Sequence, residues 1–333
     1  MRILAGDIGG THARLVYLQD DSEPAIRYEK IYASIDYASL IEIIEHFLAH
    51  HAIQRPLDSV CLAVAGPVIS GCASLTNLPW RICEKELRLL LQTENGYLIN
   101  DLVAVGYALP SLPEEALLVL QPGKGGREPV TSAVVVGAGT GLGAAHLVSA
   151  GEPHVFSSEA GHAAFSPANR IQLRLLEWLQ QQYGYVSVEM LLSGRGIAAL
   201  YRFFRDVVGV AESRSVCAAL QRGDAAQIIS EHAVAGDDPL SEQTLSCFID
   251  IYAAAVGDIT LHYFPVDAVY LAGGIAPKIQ PLLLAKQDEF TSCFSNKGAM
   301  QNNLRAIPIR LIVDEGVGLH GAIAYARLHC RSA

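Results

Sequence analysis

Short runs rich in β-branched residues alternate with longer stretches of helical periodicity along the chain. That alternation predicts an α/β fold whose sheet is covered by helices. The runs are RILAG (2–6), SVCLAVAG (59–66), GYLIN (96–100), SAVVVGAG (132–139), AVYLAGG (268–274) and IRLIV (309–313). Between them, SIDYASLIEIIEHFLAHH (34–51) sets Leu40, Ile41, Ile44, Phe47 and Leu48 on one helical stripe, with Ser34 or Asp36 as the expected cap. Further helices are predicted over EKELRLLLQ (84–92), IQLRLLEWLQQQY (171–183), GIAALYRFFRDVV (196–208) and LSCFIDIYAAAVGDITLHYF (245–264). The last is apolar almost all round and is expected inside a core. ILAGDIGGTHARLVYL and VVVGAGTGLGAAHLV both read as strand, glycine-rich turn, strand, and recur about 130 residues apart, as a duplicated two-domain architecture requires.

Composition narrows the function classes. With 333 residues, 51% hydrophobic and 17% charged, the chain is long enough for two domain-sized cores. A formal net charge of −10 argues against a nucleic-acid partner, which is held mainly through excess Lys and Arg. Cys61, Cys72, Cys83, Cys217, Cys247, Cys293 and Cys330 form no CxxC pair, and an odd count is poor material for a disulfide framework. They are expected to be buried, reduced thiols in a cytoplasmic protein. Asp7 and Arg14 interrupt the early apolar residues, so no secretory leader is expected. The stretch from Ala133 to Val148 carries glycines at 137, 139, 141 and 143 and reads as two strands rather than a membrane span.

The glycine-rich turns carry the chemistry. GDIGGTHAR (6–14) lacks the Lys of a Walker A loop and reads GxxGG, not GxGxxG. Its acid, Asp7, would repel phosphates unless a cation intervened. Gly139, Gly141 and Ala144 do satisfy the relaxed dinucleotide spacing, and Glu159 lies where a ribose acid would be wanted. A NAD-dependent dehydrogenase is therefore the rival reading. Against it, HLVSAGEPHVF (146–156) is rich in strand and turn residues and does not open a helix. Glycine at both turns lets backbone N–H groups approach an anion. Two such loops would clamp a polyphosphate, and Gly273 and Gly274 would admit a flat base.

The ordered set GDIGGTHARL (6–15), LTNLPW (75–80), LINDLVAV (98–105), GAGTGLGAAHL (137–147), SSEAGHAAFSP (157–167), VSVEMLLSGRG (186–196), LAGGIAP (271–277) and GLHGA (318–322) resembles the ATP-dependent bacterial glucokinase family, within the hexokinase and actin-like ATPase superfamily. The resemblance implies a two-lobed actin-like ATPase (ribonuclease H-like) α/β fold, with a mixed sheet in each domain and a central cleft; glycine-rich loops on both sides of one cleft predict that it closes on glucose. It implies a small domain of residues 1–112 plus 318–333 and a large domain of residues 113–317. It implies transfer of the γ-phosphoryl group of ATP to the glucose 6-hydroxyl, with Asp101 as catalytic base. Asn100, Asp101, Glu159, His162 and Glu189 would bind the sugar hydroxyls. Gly6, Asp7, Gly9, Gly10, Thr11, Gly137, Gly139, Thr140, Gly141, Gly273 and Gly274 would bind ATP, with Asp7 facing Mg²⁺ through water.

Each assignment has a plainer counterpart. Asp101 is also a good helix cap, Glu189 would suit the start of a helix near Ser187, and a single His is usually structural. The resemblance further implies a cytoplasmic homodimer with no membrane or nucleic-acid partner. A non-catalytic sugar sensor is disfavoured by the presence of Asp7 and Asp101. The zinc-binding cysteines of the repressor and sugar-kinase branch are not seen after EAGH. His12 and Ala160 depart from the family's usual Asn and Gly.

Overall fold

The computed structural model describes residues 1–20, 25–75, 78–124 and 129–330. The elements run β1 (Arg2–Ile8), β2 (His12–Gln19), β3 (Ile26–Ala33), α1 (Leu40–His50), β4 (Ser59–Val64), β5 (Val68–Ile69), β6 (Cys72–Ser74), β7 (Arg81–Cys83), α2 (Glu84–Leu91), β8 (Gly96–Asn100) and α3 (Asp101–Ala108). Next come β9 (Leu117–Gln121), β10 (Ser132–Ala138), β11 (Leu142–Ser149), β12 (Pro153–Ser158), α4 (Arg170–Tyr183), α5 (Gly194–Phe203), α6 (Arg214–Leu220), α7 (Ala225–Ala235) and α8 (Pro239–Tyr263). The chain ends with β13 (Ala268–Ala272), α9 (Gln280–Ala285), α10 (Gln287–Ser295), α11 (Gln301–Arg305), β14 (Ile309–Ile312) and α12 (Val317–Leu328). Two compact units result: Met1–Leu112 with Pro153–Phe156 and Asp314–Ala333, and Pro113–Glu152 with Ser157–Val313.

The first unit holds a five-stranded sheet in the order β3-β2-β1-β4-β8. Strand alternation decides which face each residue serves. Leu4 and Ile8 of β1 join Leu15 and Tyr17 of β2 and the apolar side of α1, whereas Ile3 and Ala5 join Val16, Leu18, Ala104, Leu319 and Ala322 on the opposite face. Asp7 and Arg14 share the parity of that second set, which places both on the side of α3 and α12. These helices cross closely because residue 321 is glycine; a Cβ there would overlap the Ala104 carbonyl.

Helix α1 is capped by Ser39, whose side chain accepts from Glu42 N, while Ser34–Asp36 forms a separate turn of 3₁₀ helix. The expected cap at Ser34 or Asp36 is therefore corrected. Ile43 is buried with Leu40, Ile44, Phe47 and Leu48, whereas Ile41 is only partly buried at the edge of the stripe, a correction to its expected place within it.

The small sheet β5-β6-β7 corrects the expectation for the cysteines. Cys72 and Cys83 stand opposite each other in antiparallel register and form a disulfide, with their Cα atoms 4.1 Å apart. The sequence separation of 11 gave no CxxC signal, and only strand pairing brings the two thiols together. Cys61 and Cys247 are buried and reduced, as expected; Cys217, Cys293 and Cys330 are reduced but only partly buried.

The second unit holds a six-stranded sheet in the order β12-β11-β10-β13-β14-β9. Its β10/β11 hairpin pairs antiparallel and β10, β13 and β14 run parallel, which repeats the β2/β1/β4 arrangement of the first unit. Helix α8 is long and apolar enough to cross a bilayer, but most of it is packed inside this core. Tyr252 on α8 donates its hydroxyl to the Val136 carbonyl of β10, 3.2 Å away.

Candidate active site

In the first unit, β1 and β2 turn at Gly9–Thr11, where Gly9 N donates to the His12 carbonyl at 2.9 Å. Ser34 steadies the turn: its amide donates to the Thr11 carbonyl at 2.9 Å and its hydroxyl to the Gly9 carbonyl at 3.2 Å. No local pattern signals this role, since Ser34 is distant from the turn in the chain. Gly6 is glycine for space, because a Cβ there would lie 2.8 Å from both Leu15 and Leu62 side chains. Gly9, Gly10, Gly139 and Gly141 do not use positive φ; of the glycines assigned to ATP binding, only Gly273 does, at 83°. Thr11 and His12 are exposed at the tip.

Asp101 begins α3, and Asn100 caps it by accepting from Leu102 N at 2.9 Å and Val103 N at 3.3 Å. Asp101 itself accepts from Leu102 N at 2.9 Å. Burial pushes the Asp101 carboxyl up to about 6, and the nearby charge of Asp7 adds to the rise. A carboxylate so placed is charged at neutral pH yet basic enough to receive a proton.

Burial also raises Asp7, an effect opposed by Arg14, the residue directly across the hairpin from it. Arg14 is in turn ion-paired with Glu29. Gly318, in the first turn of α12, leaves room for the Asp7 carboxylate, since a Cβ there would lie 3.0 Å from its Oδ2. The positive end of the α12 dipole therefore faces Asp7.

The second unit gathers the remaining predicted residues. Ala138 and Leu142 pair across the Gly139–Gly141 turn. Beside it, Gly273 is held against β10; a Cβ there would overlap the Ala138 carbonyl, and Ile275 N donates to that same oxygen at 3.1 Å. Gly137, Gly139, Thr140, Gly141, Gly273 and Gly274 thus form one glycine-lined shelf at neighbouring strand ends. The segment after the turn is strand β11, not a helix, so the dinucleotide spacing is a coincidence. Glu159 directly follows strand β12.

Glu189 lies in a turn, well before α5 with its Ser193 cap, so it does not start a helix. Its Oε2 accepts from Leu142 N at 3.0 Å and its amide donates to the Gly161 carbonyl at 2.9 Å. A Cβ at Gly141 would displace Glu189 Oε2, the tip of the side chain that accepts from Leu142 N. Gly161 must be glycine, because a Cβ there would overlap the Leu142 carbonyl, which is backbone. His162 Nε2 stands 3.8 Å from Glu159 Oε2, and both side chains are exposed. The structure therefore unites Glu189 with the glycine turn and with the Glu159–His162 segment. In LTNLPW, Thr76 and Asn77 lie outside the described residues.

The donor set fits a hydrated Mg²⁺. Among the described residues no hydrogen bond occupies the Asp7 carboxylate, a hard oxygen donor, and no cluster of three or more metal-ligating side chains exists to form a dehydrated cage.

A family model described as Glucokinase matches residues 4–329. A glucokinase of Nostoc sp. strain PCC 7120 is 40% identical over 98% of this chain and 99% of its own length. Among solved structures, a glucokinase from an Antarctic psychrotroph superposes with a TM-score of 0.82 at 33% identity, covering 98% of each chain. A ROK family glucokinase from Streptomyces griseus, in complex with glucose and AMPPNP, shares the fold with a TM-score of 0.63 at 17% identity, covering 98% of this chain and 99% of that one. By the ordered motifs, the repeated mixed sheets and these full-length similarities, the chain belongs to the glucokinase family.

Proposed function

We propose that this protein transfers the γ-phosphoryl group of ATP to the 6-hydroxyl of glucose, with Asp101 as the base. The observation that carries the residue assignment is the Asp101 carboxylate: it begins α3, is raised by burial to about 6, and lies near a second acid, Asp7, whose charge adds to the rise. A sugar hydroxyl is a weak nucleophile at neutral pH, and a positioned carboxylate that receives its proton contributes about 10²–10⁴-fold. Asn100, Glu159, His162 and Glu189 bind the remaining hydroxyls, each of which both donates and accepts. An analogue lacking one hydroxyl strands a polar partner, which gives selectivity.

Backbone N–H groups of the Gly9–Thr11 and Gly139–Gly141 turns hold the phosphates, with hydroxyls from Thr11 and Thr140. Gly274, with open space where a Cβ would stand, leaves the backbone accessible to the adenine, and Gly273 sets the turn beside it against Ala138. Mg²⁺, when bound, neutralises charge on the β- and γ-phosphates; Asp7 would hold it through water. Among the described residues no closely spaced cysteines support the zinc site of related sugar kinases. We place the enzyme in the cytoplasm, as a homodimer.

The test is turnover of a panel of hexoses with Mg·ATP, reading ADP and sugar 6-phosphate together. Glucose-dependent formation of both is expected. Absence of both with every hexose would reject the reading.

A further inference from the structure

The disulfide Cys72–Cys83 has no part in the phosphoryl transfer proposed above, whose groups are all oxygens and nitrogens. Disulfides are rare in reducing compartments and, where present, usually transient or redox-sensing. Three observations on the first unit bear on this one.

The first is mechanical. Strands β5, β6 and β7 have only two, three and three residues, so few ladder hydrogen bonds hold the small sheet together. The covalent bond cross-links β6 and β7 directly, beside Ala73 and Ile82, which are buried in the core of the unit.

The second is access. Cys72 lines an open recess of about 260 Å³ together with Pro67, Ile69, Ser74 and Arg81. Arg81 Nη2 stands 3.6 Å from Cys72 Sγ. A guanidinium beside a sulfur stabilises the thiolate form, and it attracts an incoming thiolate as well.

The third is connection to the proposed base. The chain entering the small sheet is tied to β8 through Asn100 Nδ2, which donates to the Gly66 carbonyl at 3.2 Å. The chain leaving it is tied to the same strand. Glu84, next to Cys83, accepts from Leu98 N at 3.2 Å, and Arg88 donates to the Gly96 carbonyl at 3.1 Å while pairing with Glu84. Glu84 N also donates to the Gly71 carbonyl at 2.8 Å, next to Cys72. The disulfide thus sits inside a loop of contacts that begins and ends on β8, the strand that ends at Asn100 and leads into Asp101.

We infer that Cys72–Cys83 is a thiol–disulfide exchange site for a dithiol reductant, and that its state sets how firmly Asn100 and Asp101 are held. In the exchange, a reductant thiolate attacks Cys72 Sγ in the recess. The Cys72–Cys83 bond breaks, and Cys83 leaves as a thiolate that takes a proton from water. The reductant's second thiol then attacks its own sulfur in the mixed disulfide, closing the reductant's disulfide and freeing Cys72 as a thiolate beside Arg81. Two electrons pass from the dithiol to the cysteine pair. Reduction loosens β6 from β7, and with it the contacts through Gly66 and Glu84.

The exchange chemistry stands apart from the kinase reading, while the effect on turnover rests on it. The experiment treats the full-length protein with dithiothreitol or leaves it untreated, alkylates free thiols, and locates the label by peptide mass spectrometry. In parallel it measures kcat and KM for glucose with Mg·ATP. The expected result is that Cys72 and Cys83 are protected without dithiothreitol and labelled with it. The KM for glucose rises about fivefold or more on reduction, and oxidised glutathione restores it. The C72S/C83S variant should match the reduced enzyme and ignore dithiothreitol; should it not fold, the wild-type reduction and reoxidation cycle carries the same test. Label on the pair without reductant, or protection that persists in dithiothreitol, overturns the exchange site. A reduced pair with unchanged kinetics overturns the coupling. If the wild type turns over no hexose in either state, the kinase reading fails, and labelling still decides the exchange site.

Discussion

Asp101 and Asp7 come from distant parts of the chain, and each faces the first turn of a helix, α3 for one and α12 for the other. Ionising Asp101 in the fold costs more than ionising it in water, since its folded value of about 6 lies above the ordinary 3.8. The unfolded chain releases that proton at lower pH, so this residue's contribution to stability falls as pH rises from about 4 to about 6 and stays low above it. Asp101→Asn should therefore cost about 10²–10⁴-fold in kcat, roughly 3–5 kcal/mol of barrier, while leaving the Tm at pH 7.5 unchanged or higher. A Tm that falls along with activity would reduce Asp101 to a structural cap. Because the base must be deprotonated, kcat/KM should decline below about pH 6 along a limb of unit slope in wild type; a limb centred near 4 would contradict the assignment. Gly161→Ala tests a different kind of demand. Its new Cβ meets the Leu142 carbonyl, which is backbone and cannot step aside, so a loss of about 1–3 kcal/mol in urea unfolding is expected, with weaker glucose binding. Both carboxylate motifs were readable as letters; the need for glycine at 161 and 318 was not, because it depends on which atoms of other segments lie opposite.

At the scale of elements, two caps separate support from chemistry. Ser39 caps α1 and Asn100 caps α3, each through side-chain oxygen to backbone N–H. Replacing either with Ala should cost about 1 kcal/mol of stability. Only Asn100→Ala should also raise the KM for glucose, since Asn100 adjoins the base and fixes Gly66; equal kinetic effects from both would mean that Asn100 acts through stability alone. Both glycine-rich hairpins were legible because strand, turn and strand are adjacent in the chain and their patterns are local. The start of α1 was misread because Ser34 is as good a capping residue as Ser39, and the choice fell to tertiary contacts that hold Ser34 on the Gly9–Thr11 turn. The disulfide was unreadable for a related reason: two short strands with weak patterns must first pair before their cysteines meet.

For the whole molecule, the sheet orders show one five-stranded unit used twice, with β14 in the place of β8 and β9 extending the second copy by one antiparallel strand. Ligands that bind only the folded protein raise its apparent stability by mass action, about 2.7 kcal/mol at a hundredfold excess over Kd. Glucose should therefore raise the Tm of both wild type and Asp101→Asn, and a sugar that leaves both unmoved would not be a ligand. Light scattering after gel filtration should give twice the 35.7 kDa of one chain; a monomer would refute the dimer. The sequence by itself determined the α/β class, the duplication, the order of the motifs and the identity of the acids, because strand and helix periodicity and turn chemistry are properties of neighbouring residues. Only the tertiary structure decided that Asp7 and Arg14 share the α3 and α12 face, that Glu189 grips the Gly139–Gly141 turn, and that Cys72 is bonded to Cys83. Each of those depends on strand register and on the close approach of backbone segments far apart in the chain, which no local pattern encodes.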